Sequence, residues 1–264
     1  MNSLYVVIAF HYVEERLKYL NDVLESLEII NKKHKVKVIV QTNEANQLLQ
    51  QLVTRFGIEI QIEEINNLID PYKLTWCHKC RMFDFLREES FTHFAYLEDD
   101  MELTLENFEY WIETRKLFKG RGFNFIPGFV RVERNVVGDV FAVDITRRVE
   151  GAILEIPEGR FISITQPYQG MFVMDRKMVT KHIESPAFQL ETSRPLPNAG
   201  NDVRERANQG NMYTNVPSGF QHRLMIPLNN ERNFWILHNA GNYHNMPGTL
   251  HGKLLTHKIF EGLL

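Results

Sequence analysis

Several features are scarce or missing in this sequence of 264 residues. No run approaches the roughly 18 consecutive apolar residues of a membrane span, and the first apolar run is too short and lacks the basic flank of a secretion signal. We find no repeats, low-complexity tracts or Ser/Gly-rich linker. Any second module would therefore be formed by segments that alternate along the chain with those of the first. The formal net charge of −3 gives no general reason to expect a nucleic-acid partner. The default location is therefore the cytoplasm.

The only two cysteines form the sequence Cys77-His78-Lys79-Cys80. A zinc site needs more ligands than this tetrapeptide offers, and no second CxxC exists. A redox dithiol stays open as an alternative, but partly buried reduced thiols are preferred. His78 and Lys79 fall in the first turn of a helix-like segment, where a cation opposes the helix macrodipole. They therefore indicate a nearby anion such as a diphosphate, although a packed His and a surface Lys explain them as well.

The first hundred residues alternate between apolar runs and amphipathic segments, and 44% of the whole chain is hydrophobic, enough for a large core. The strand-like runs are residues 4–10, 36–41 and 58–62, and the helix-like segments are 13–30, 44–56 and 73–89. Strands that alternate with helices predict a parallel, doubly wound sheet. After residue 101, strands predicted at 123–132, 140–145 and 160–165 carry polar residues, which predicts a mixed or antiparallel sheet.

Three consecutive carboxylates, Glu98, Asp99 and Asp100, follow the apolar run that begins at Phe94. Open α/β sheets bind ligands at the carboxyl ends of their strands. Residues at i and i+2 of an extended chain point the same way, so Glu98 and Asp100 are expected to face one divalent cation while Asp99 points elsewhere. Oxygen ligands of this kind suit Mg²⁺ or Mn²⁺. A solvated acidic turn that caps the following helix is the alternative.

With these residues in place, the sequence resembles the nucleotide-sugar-dependent glycosyltransferases of the GT-A fold. Their signature is a nucleotide-binding βαβ half that ends in a DxD-type acidic motif, which here has Glu98 in its first position. The turn that holds His11, Glu15 and Arg16 is similar to the loop that meets the nucleotide in such enzymes. The resemblance implies one α/β domain over residues 1–264, with a mixed central sheet and flanking helices. Residues 1–101 would bind the nucleotide sugar, and 102–264 the acceptor.

Later motifs take their expected roles from the same resemblance. The loop with Tyr168 and Gly170 lies where GT-A enzymes form part of the sugar pocket: Tyr168 could stack on a sugar, and Gly170 would let the backbone approach a ligand. An ordinary Pro-Tyr turn accounts for the same residues. Asp202 matches the general base of inverting members best and Glu205 is second, although a capping box explains both. His238 resembles a histidine that completes the metal shell, with His244 and His251 as competitors.

The predicted activity is a metal-dependent and inverting transfer of a sugar from a nucleotide sugar to a glycan, lipid-linked or protein hydroxyl. Mn²⁺ or Mg²⁺ is the expected cofactor. A lipid-linked acceptor would place the enzyme peripherally at the inner membrane face. Two alternatives stay open. A Mg²⁺-dependent nucleotidyltransferase would usually have a Gly-rich loop after the first strand, but the turn His11-Tyr12-Val13-Glu14-Glu15 contains no glycine. A non-catalytic carbohydrate- or nucleotide-binding protein of the same fold is the second.

Overall fold

The structure, a computed structural model, describes residues 2–164, 170–193, 203–204, 206–207, 224–229 and 232–263. It is a mixed α/β protein with several sheets and helices, as the sequence predicts; its assignment to the GT-A type stays a prediction. Contacts divide the chain into two compact units. The first comprises Met1–Leu105 and Gly170–Pro217, and the second comprises Glu106–Gln169 and Ser218–Leu264.

The first unit is built on one sheet with the strand order β11-β4-β1-β2-β3. Strands β1 to β4 run parallel, and β11 pairs antiparallel with β4. The strands are β1 (Ser3–Phe10), β2 (Lys35–Thr42), β3 (Glu59–Glu64), β4 (His93–Glu98) and β11 (Met171–Asp175). A further short strand, β5 (Met101–Glu102), follows β4. All eight residues of β1 are buried, as expected for a central parallel strand that is covered on both faces.

The helices of the first unit that the structure describes from end to end pack in two pairs, α1 with α2 and α3 with α5. Their bounds are α1 (Leu17–Asn31), α2 (Gln47–Val53), α3 (His78–Arg87) and α5 (Arg176–Ile183). The helix periodicity predicted α1, α2 and α3, and the strand patterns predicted β1 to β4, with shifts of a few residues at the ends. The sequence did not predict α5, which begins after Asp175, whose side chain accepts a hydrogen bond from the Met178 N–H.

The second unit has a helix, α4 (Leu105–Gly120), and two groups of hydrogen-bonded strands. One group has the order β6-β12-β10-β9, and the other includes the order β14-β8-β7-β13. These strands are β6 (Ile126–Pro127), β7 (Val130–Arg134), β8 (Val140–Ala142), β9 (Ile153–Ile156), β10 (Gly159–Ile164), β12 (Leu224–Pro227), β13 (Trp235–His238) and β14 (Leu254–Leu255). Parallel and antiparallel pairs occur together, which confirms the mixed sheet predicted for this part of the chain.

The sequence predicts that residues 1–101 bind the donor and residues 102–264 bind the acceptor. The two structural units do not test this functional division, which stays a prediction. In the structure, the second segment of the first unit returns to the sheet as β11. In the part of the chain that the structure describes, no helix is both long and apolar enough to cross a membrane.

Candidate functional site

The three consecutive carboxylates form a turn at the carboxyl end of β4, which we call the acidic turn (Glu98, Asp99 and Asp100). Strand β4 ends at Glu98, the residue paired in register with Ala9 of β1, and the next two residues form a tight turn. His11 follows β1 at the same edge. In open parallel sheets this is the edge that binds ligands, so the strand order places the acidic turn where the sequence predicted a site.

Arg16, which ends a short 3₁₀ helix before α1, binds two of these carboxylates. Its Nε donates to Asp99 Oδ2 at 2.7 Å, and its Nη2 donates to Asp99 Oδ1 at 2.8 Å and to Asp100 Oδ2 at 2.9 Å. The two aspartate side chains are each 7% exposed, whereas that of Arg16 is 33% exposed. The guanidinium therefore holds Asp99 in a bidentate pair and reaches Asp100 from the same side.

Burial changes the pKa values of Asp99 and Arg16. Removal from water raises the pKa of Asp99 to about 7, and the neighbouring Asp100 adds to the increase, while the hydrogen bonds from Arg16 act in the opposite direction. Burial lowers the pKa of Arg16, but its bonds to Asp99 and the charges of both aspartates outweigh this, so the net pKa is raised. Arg16 therefore stays charged, and its hydrogen bonds limit the rise in the pKa of Asp99.

This geometry corrects one detail of the sequence-based prediction. The alternation of side chains was expected to turn Asp99 away from its neighbours, but alternation holds only in extended chain and the strand ends at Glu98. Asp99 and Asp100 therefore share one guanidinium. Arg16 was expected to contact the nucleotide; here it organises the acidic turn, and a contact with a nucleotide stays a prediction.

Gly170, just before β11, lies directly against Glu98. Its carbonyl accepts a hydrogen bond from the Glu98 N–H at 2.8 Å, and its φ of +64° is one that residues with a Cβ rarely adopt. A Cβ at this position would lie 3.0 Å from Glu98 Oε2. The backbone of Gly170 thus closely approaches the acidic turn, and its predicted approach to a ligand stays a prediction. The other predicted residues of this region, Tyr168, Asp202 and Glu205, lie outside the described residues.

The loop after β1 contributes exposed groups at the same edge. His11 and Glu15 are both exposed. The Tyr12 N–H donates to Asn43 Oδ1 at 2.6 Å, which ties this loop to the end of β2. His11 and Glu15 are therefore accessible to a ligand, as their predicted role requires, and that role stays a prediction.

His78 and Lys79 have a different environment from the predicted one. His78 is fully buried, its Nδ1 lies 2.6 Å from the Thr75 carbonyl, and burial lowers its pKa well below the usual value. Lys79 is 5% exposed, its Nζ donates to the carbonyls of Ala187 and Phe188, and burial lowers its pKa to about 6. Both side chains are thus buried and hydrogen-bonded within the protein, which does not support the predicted contact with a diphosphate. That contact stays a prediction.

The cysteines that flank these two residues are both free thiols. Burial raises the pKa of Cys77 to about 11, and burial also raises the pKa of Cys80. A redox-active dithiol needs a lowered thiol pKa. The preferred interpretation as reduced thiols agrees with these environments.

A second polar cluster lies in the second unit, around the carboxyl ends of β7 and β13. Glu133 is fully buried and accepts a hydrogen bond from His238, with Oε1 2.6 Å from His238 Nδ1. These bonds, and others from Tyr243 and His244, lower the pKa of Glu133 to about 2 although burial opposes them. The sequence analysis did not identify Glu133. The sequence marks Glu133 only as an acidic residue directly after the strand predicted to end at Val132, in a stretch where apolar and charged residues alternate.

The acidic turn suits a divalent cation of the magnesium type. Among the described residues, no three His, Cys, Asp or Glu side chains lie close enough to form a complete metal cage. Mg²⁺ and Mn²⁺, however, are usually held by one or two carboxylates, and substrate phosphates and water complete the shell. Glu98 and Asp100 supply such oxygens, and Gly170 has no Cβ, which would lie 3.0 Å from Glu98 Oε2. The donor atoms are of the kind that such a cation takes, and its binding here stays a prediction.

No family model matches this sequence, and no curated protein matches it. Among solved structures, the chain is similar to the crystal structure of S. aureus TarS 1-349, with a TM-score of 0.44 and 10% sequence identity. The similarity covers 90% of this chain and 60% of that chain, so this chain spans less than two thirds of the length of that structure.

Proposed function

We propose that this protein is a glycosyltransferase that moves a sugar from a nucleotide-sugar donor to a hydroxyl group of an acceptor. The observation that carries the proposal is the acidic turn, with two nearly buried aspartates, at the carboxyl end of β4 beside the central strand β1. Three carboxylates and one guanidinium give Glu98, Asp99, Asp100 and Arg16 together a formal charge of −2 when all are ionised, and Arg16 binds the two aspartates. One divalent cation would neutralise that charge.

Each residue of the acidic turn has its own part in this proposal. Glu98 and Asp100 would hold Mn²⁺ or Mg²⁺, whose charge stabilises the negative charge that develops on the leaving diphosphate. Arg16 limits the rise in the pKa of Asp99 and fixes the turn through its three hydrogen bonds. His11 and Glu15 are exposed at the same edge and would contact the nucleotide. In this arrangement the residues around the cation are preorganised before the donor binds.

The acceptor side of the proposal rests on the sequence. Asp202 would remove the proton from the acceptor hydroxyl as that oxygen attacks the anomeric carbon, with Glu205 as the second candidate. Attack from the face opposite the diphosphate inverts the anomeric centre. Tyr168 would stack on a sugar. His238 is the proposed histidine ligand of the cation. The acceptor class is a glycan, a lipid-linked glycan or a protein.

The test is a screen of nucleotide sugars with Mn²⁺ or Mg²⁺, in which release of the nucleoside diphosphate and formation of product are measured. We expect metal-dependent release that a chelator abolishes. Asp100→Asn should lose turnover and keep the fold, because the amide preserves shape but not charge. Asp22→Asn is the matched control, because Asp22 is an exposed aspartate on α1 and its substitution should leave turnover unchanged. Full activity of Asp100→Asn would exclude the proposed metal site.

The same screen separates the other candidate functions. Donor binding without turnover, under all metal conditions, would indicate a binding protein. Pyrophosphate release from a nucleoside triphosphate would indicate a nucleotidyltransferase. Retention of configuration in the product would remove Asp202 from the role of base while leaving the transferase assignment intact.

A further inference from the structure

Residues 186–193, which we call the tethered segment, follow α5 and are held at both ends by basic side chains of the first unit. The segment begins with a short 3₁₀ helix, Pro186–Phe188. Lys79 of α3 donates hydrogen bonds from Nζ to the carbonyls of Ala187 and Phe188, at 2.8 and 3.0 Å. This amine therefore attaches the beginning of the segment to α3.

The far end of the tethered segment is held by Arg206. Its Nε donates a hydrogen bond to the Ser193 carbonyl at 2.8 Å, and its Nη2 donates to the Leu190 carbonyl. The two attachments differ in their chemistry. A guanidinium keeps its proton in proteins, whereas a buried lysine amine can lose its proton near neutral pH. Of these two attachments, the one at Lys79 is therefore the one that can respond to pH.

The Lys79 amine lies among aromatic rings and basic groups. The residue is 5% exposed, and its Nζ lies 3.8 Å from the centre of the Trp76 ring and 5.4 Å from that of Phe188. Trp76 belongs to the short helix before α3, and Phe188 to the tethered segment. Two fully buried histidines lie close enough to interact electrostatically with the amine, His78 on α3 and His182 on α5.

Burial and like charges act on these basic groups in the same direction. Burial lowers the pKa of Lys79 to about 6, and the charge of Arg206 adds to the decrease. Burial also lowers the pKa values of His78 and His182 well below their usual value, and the charge of Lys79 adds to both decreases. No carboxylate of the described residues raises any of these three pKa values. A proton taken up here therefore adds positive charge to a buried and already basic site.

We propose that the contact between Lys79 and the tethered segment is a pH-sensitive device, in which the segment separates locally from α3 as the medium becomes more acidic. A neutral amine can still donate two hydrogen bonds, so the closed arrangement needs no charge. A bound proton creates an ammonium group, whose burial is unfavourable, and the Trp76 ring offsets only part of that cost. Separation returns the charge to water. The proposal does not depend on the proposed function, because it uses no residue of the acidic turn.

The size of the effect follows from proton linkage. In the separated state the Lys79 amine is in water, where its pKa has the usual value of 10.5, whereas in the closed state the pKa is about 6. Between these two values, separation takes up one proton. The equilibrium constant for separation should therefore increase about tenfold for each unit by which the pH falls, or about 30-fold between pH 8.5 and pH 7.

Hydrogen exchange of backbone amides measures the separation. The Phe188 N–H donates to the Ser185 carbonyl at 3.1 Å, and the Ser193 N–H donates to the Gln189 carbonyl at 2.8 Å. These amides exchange when the hydrogen bonds open. Protection factors at pH 7, 7.5, 8 and 8.5, corrected for the pH dependence of the intrinsic exchange rate, give the equilibrium constant for separation. We expect the tenfold change per pH unit in the wild type.

Two variants distinguish the amine from the attachment of the segment in general. Lys79→Met removes the group that titrates and keeps an apolar side chain of similar length, so the equilibrium constant should become nearly independent of pH over this range. Arg206→Met is the matched control. It removes the hydrogen bonds at the other end of the segment, so separation should increase at every pH while the tenfold change per unit remains.

Three results would overturn the proposal. The first is an equilibrium constant that does not change with pH in the wild type, and the second is an unaltered pH dependence in Lys79→Met. The third is exchange of the Phe188 and Ser193 amides only through the global unfolding that also exposes β1, because the segment then does not separate locally.

A measurement on the wild type decides if Lys79→Met does not fold. The ¹³Cε resonances of the lysine side chains report the ionisation of each amine. One lysine is expected to titrate near pH 6, as the buried Lys79 should. The proposal is overturned if no lysine titrates below pH 8.

Discussion

Arg16 is the residue whose replacement tests the acidic turn most directly. Arg16→Met keeps most of the aliphatic side chain and removes the guanidinium that binds Asp99 with two hydrogen bonds and Asp100 with one. Two carboxylates on adjacent residues, each 7% exposed, would then face each other without that cation. We expect a less stable protein.

The magnitude follows from the exposure of the three groups. Removing one partner of a fully buried ion pair costs about 3–5 kcal/mol, because the other charge is left buried. Here the Arg16 side chain is 33% exposed, so water can enter its place and solvate the carboxylates in part. We therefore expect the free energy of unfolding at pH 7 to fall by about 2–3 kcal/mol, between the values for buried and for surface pairs.

The loss should depend on pH with a definite sign. The pKa of Asp99 is raised in the folded state, to about 7, so folding takes up a proton between the unfolded pKa and that value. Stability from this group is therefore greatest in acid and falls as the pH rises towards 7. Without Arg16 the pKa of Asp99 rises further. Wild-type Asp99 loses its proton around pH 7, whereas that of the variant keeps it to higher pH, so the difference between Arg16→Met and wild type should grow as the pH rises through 7.

Urea unfolding followed by circular dichroism at pH 6, 7, 8 and 9 measures this difference. Arg121→Met is the control, because Arg121 pairs with Glu158 on the surface, where the two side chains are 44% and 40% exposed. That substitution should change stability by less than about 1 kcal/mol at every pH. An Arg16→Met protein as stable as wild type at pH 7, or a loss that does not change with pH, would refute the reasoning.

Three further substitutions or reactions test other parts of the structure. Gly170→Ala should lower the free energy of unfolding by about 1–3 kcal/mol, because alanine rarely adopts a φ of +64° and its Cβ would lie 3.0 Å from Glu98. An unchanged urea midpoint would contradict the described backbone. Arg131 and Asp144 form an ion pair whose side chains are only 4% and 8% exposed. Arg131→Met should therefore lower the free energy of unfolding by about 3–5 kcal/mol in the same assay, because it leaves Asp144 as a buried charge. A loss below about 1 kcal/mol, the range of surface pairs, would show that water reaches this pair. Cys77, with a pKa raised to about 11, should react with iodoacetamide at pH 8 at least about tenfold more slowly than a free thiol, and a rate equal to that of a model thiol would argue against its burial.

The periodicity of the sequence predicts most of the first unit. Strand β1 and helix α1 follow from local patterns, because an apolar run of eight residues and a stripe of leucines at helical spacing each suit one element. The position of the acidic turn also follows, because it comes directly after a strand. The antiparallel placement of β11 beside β4 does not follow, because nothing local to a strand specifies its neighbour.

The environments of charged residues could not be predicted in the same way. The sequence left His78 open between a packed side chain and a ligand contact, and Lys79 between a surface cation and a ligand contact, but the packing of α3 buries both, and burial lowers the pKa of each. Glu133 looks like an ordinary strand residue until β13 is placed beside β7. In each case the deciding contact joins residues far apart in the chain.

The sequence by itself determined the alternation of strands and helices in the first unit, and it placed three carboxylates at the end of a buried strand. Local backbone preferences and hydrophobic periodicity act over a few residues, so they can be recognised without the fold. Only the tertiary structure decided that Arg16 binds Asp99 and Asp100, since the partners are 83 and 84 positions apart. Likewise, only the structure brought Glu133 to His238, because hydrogen bonds and desolvation depend on which distant side chains share the same space.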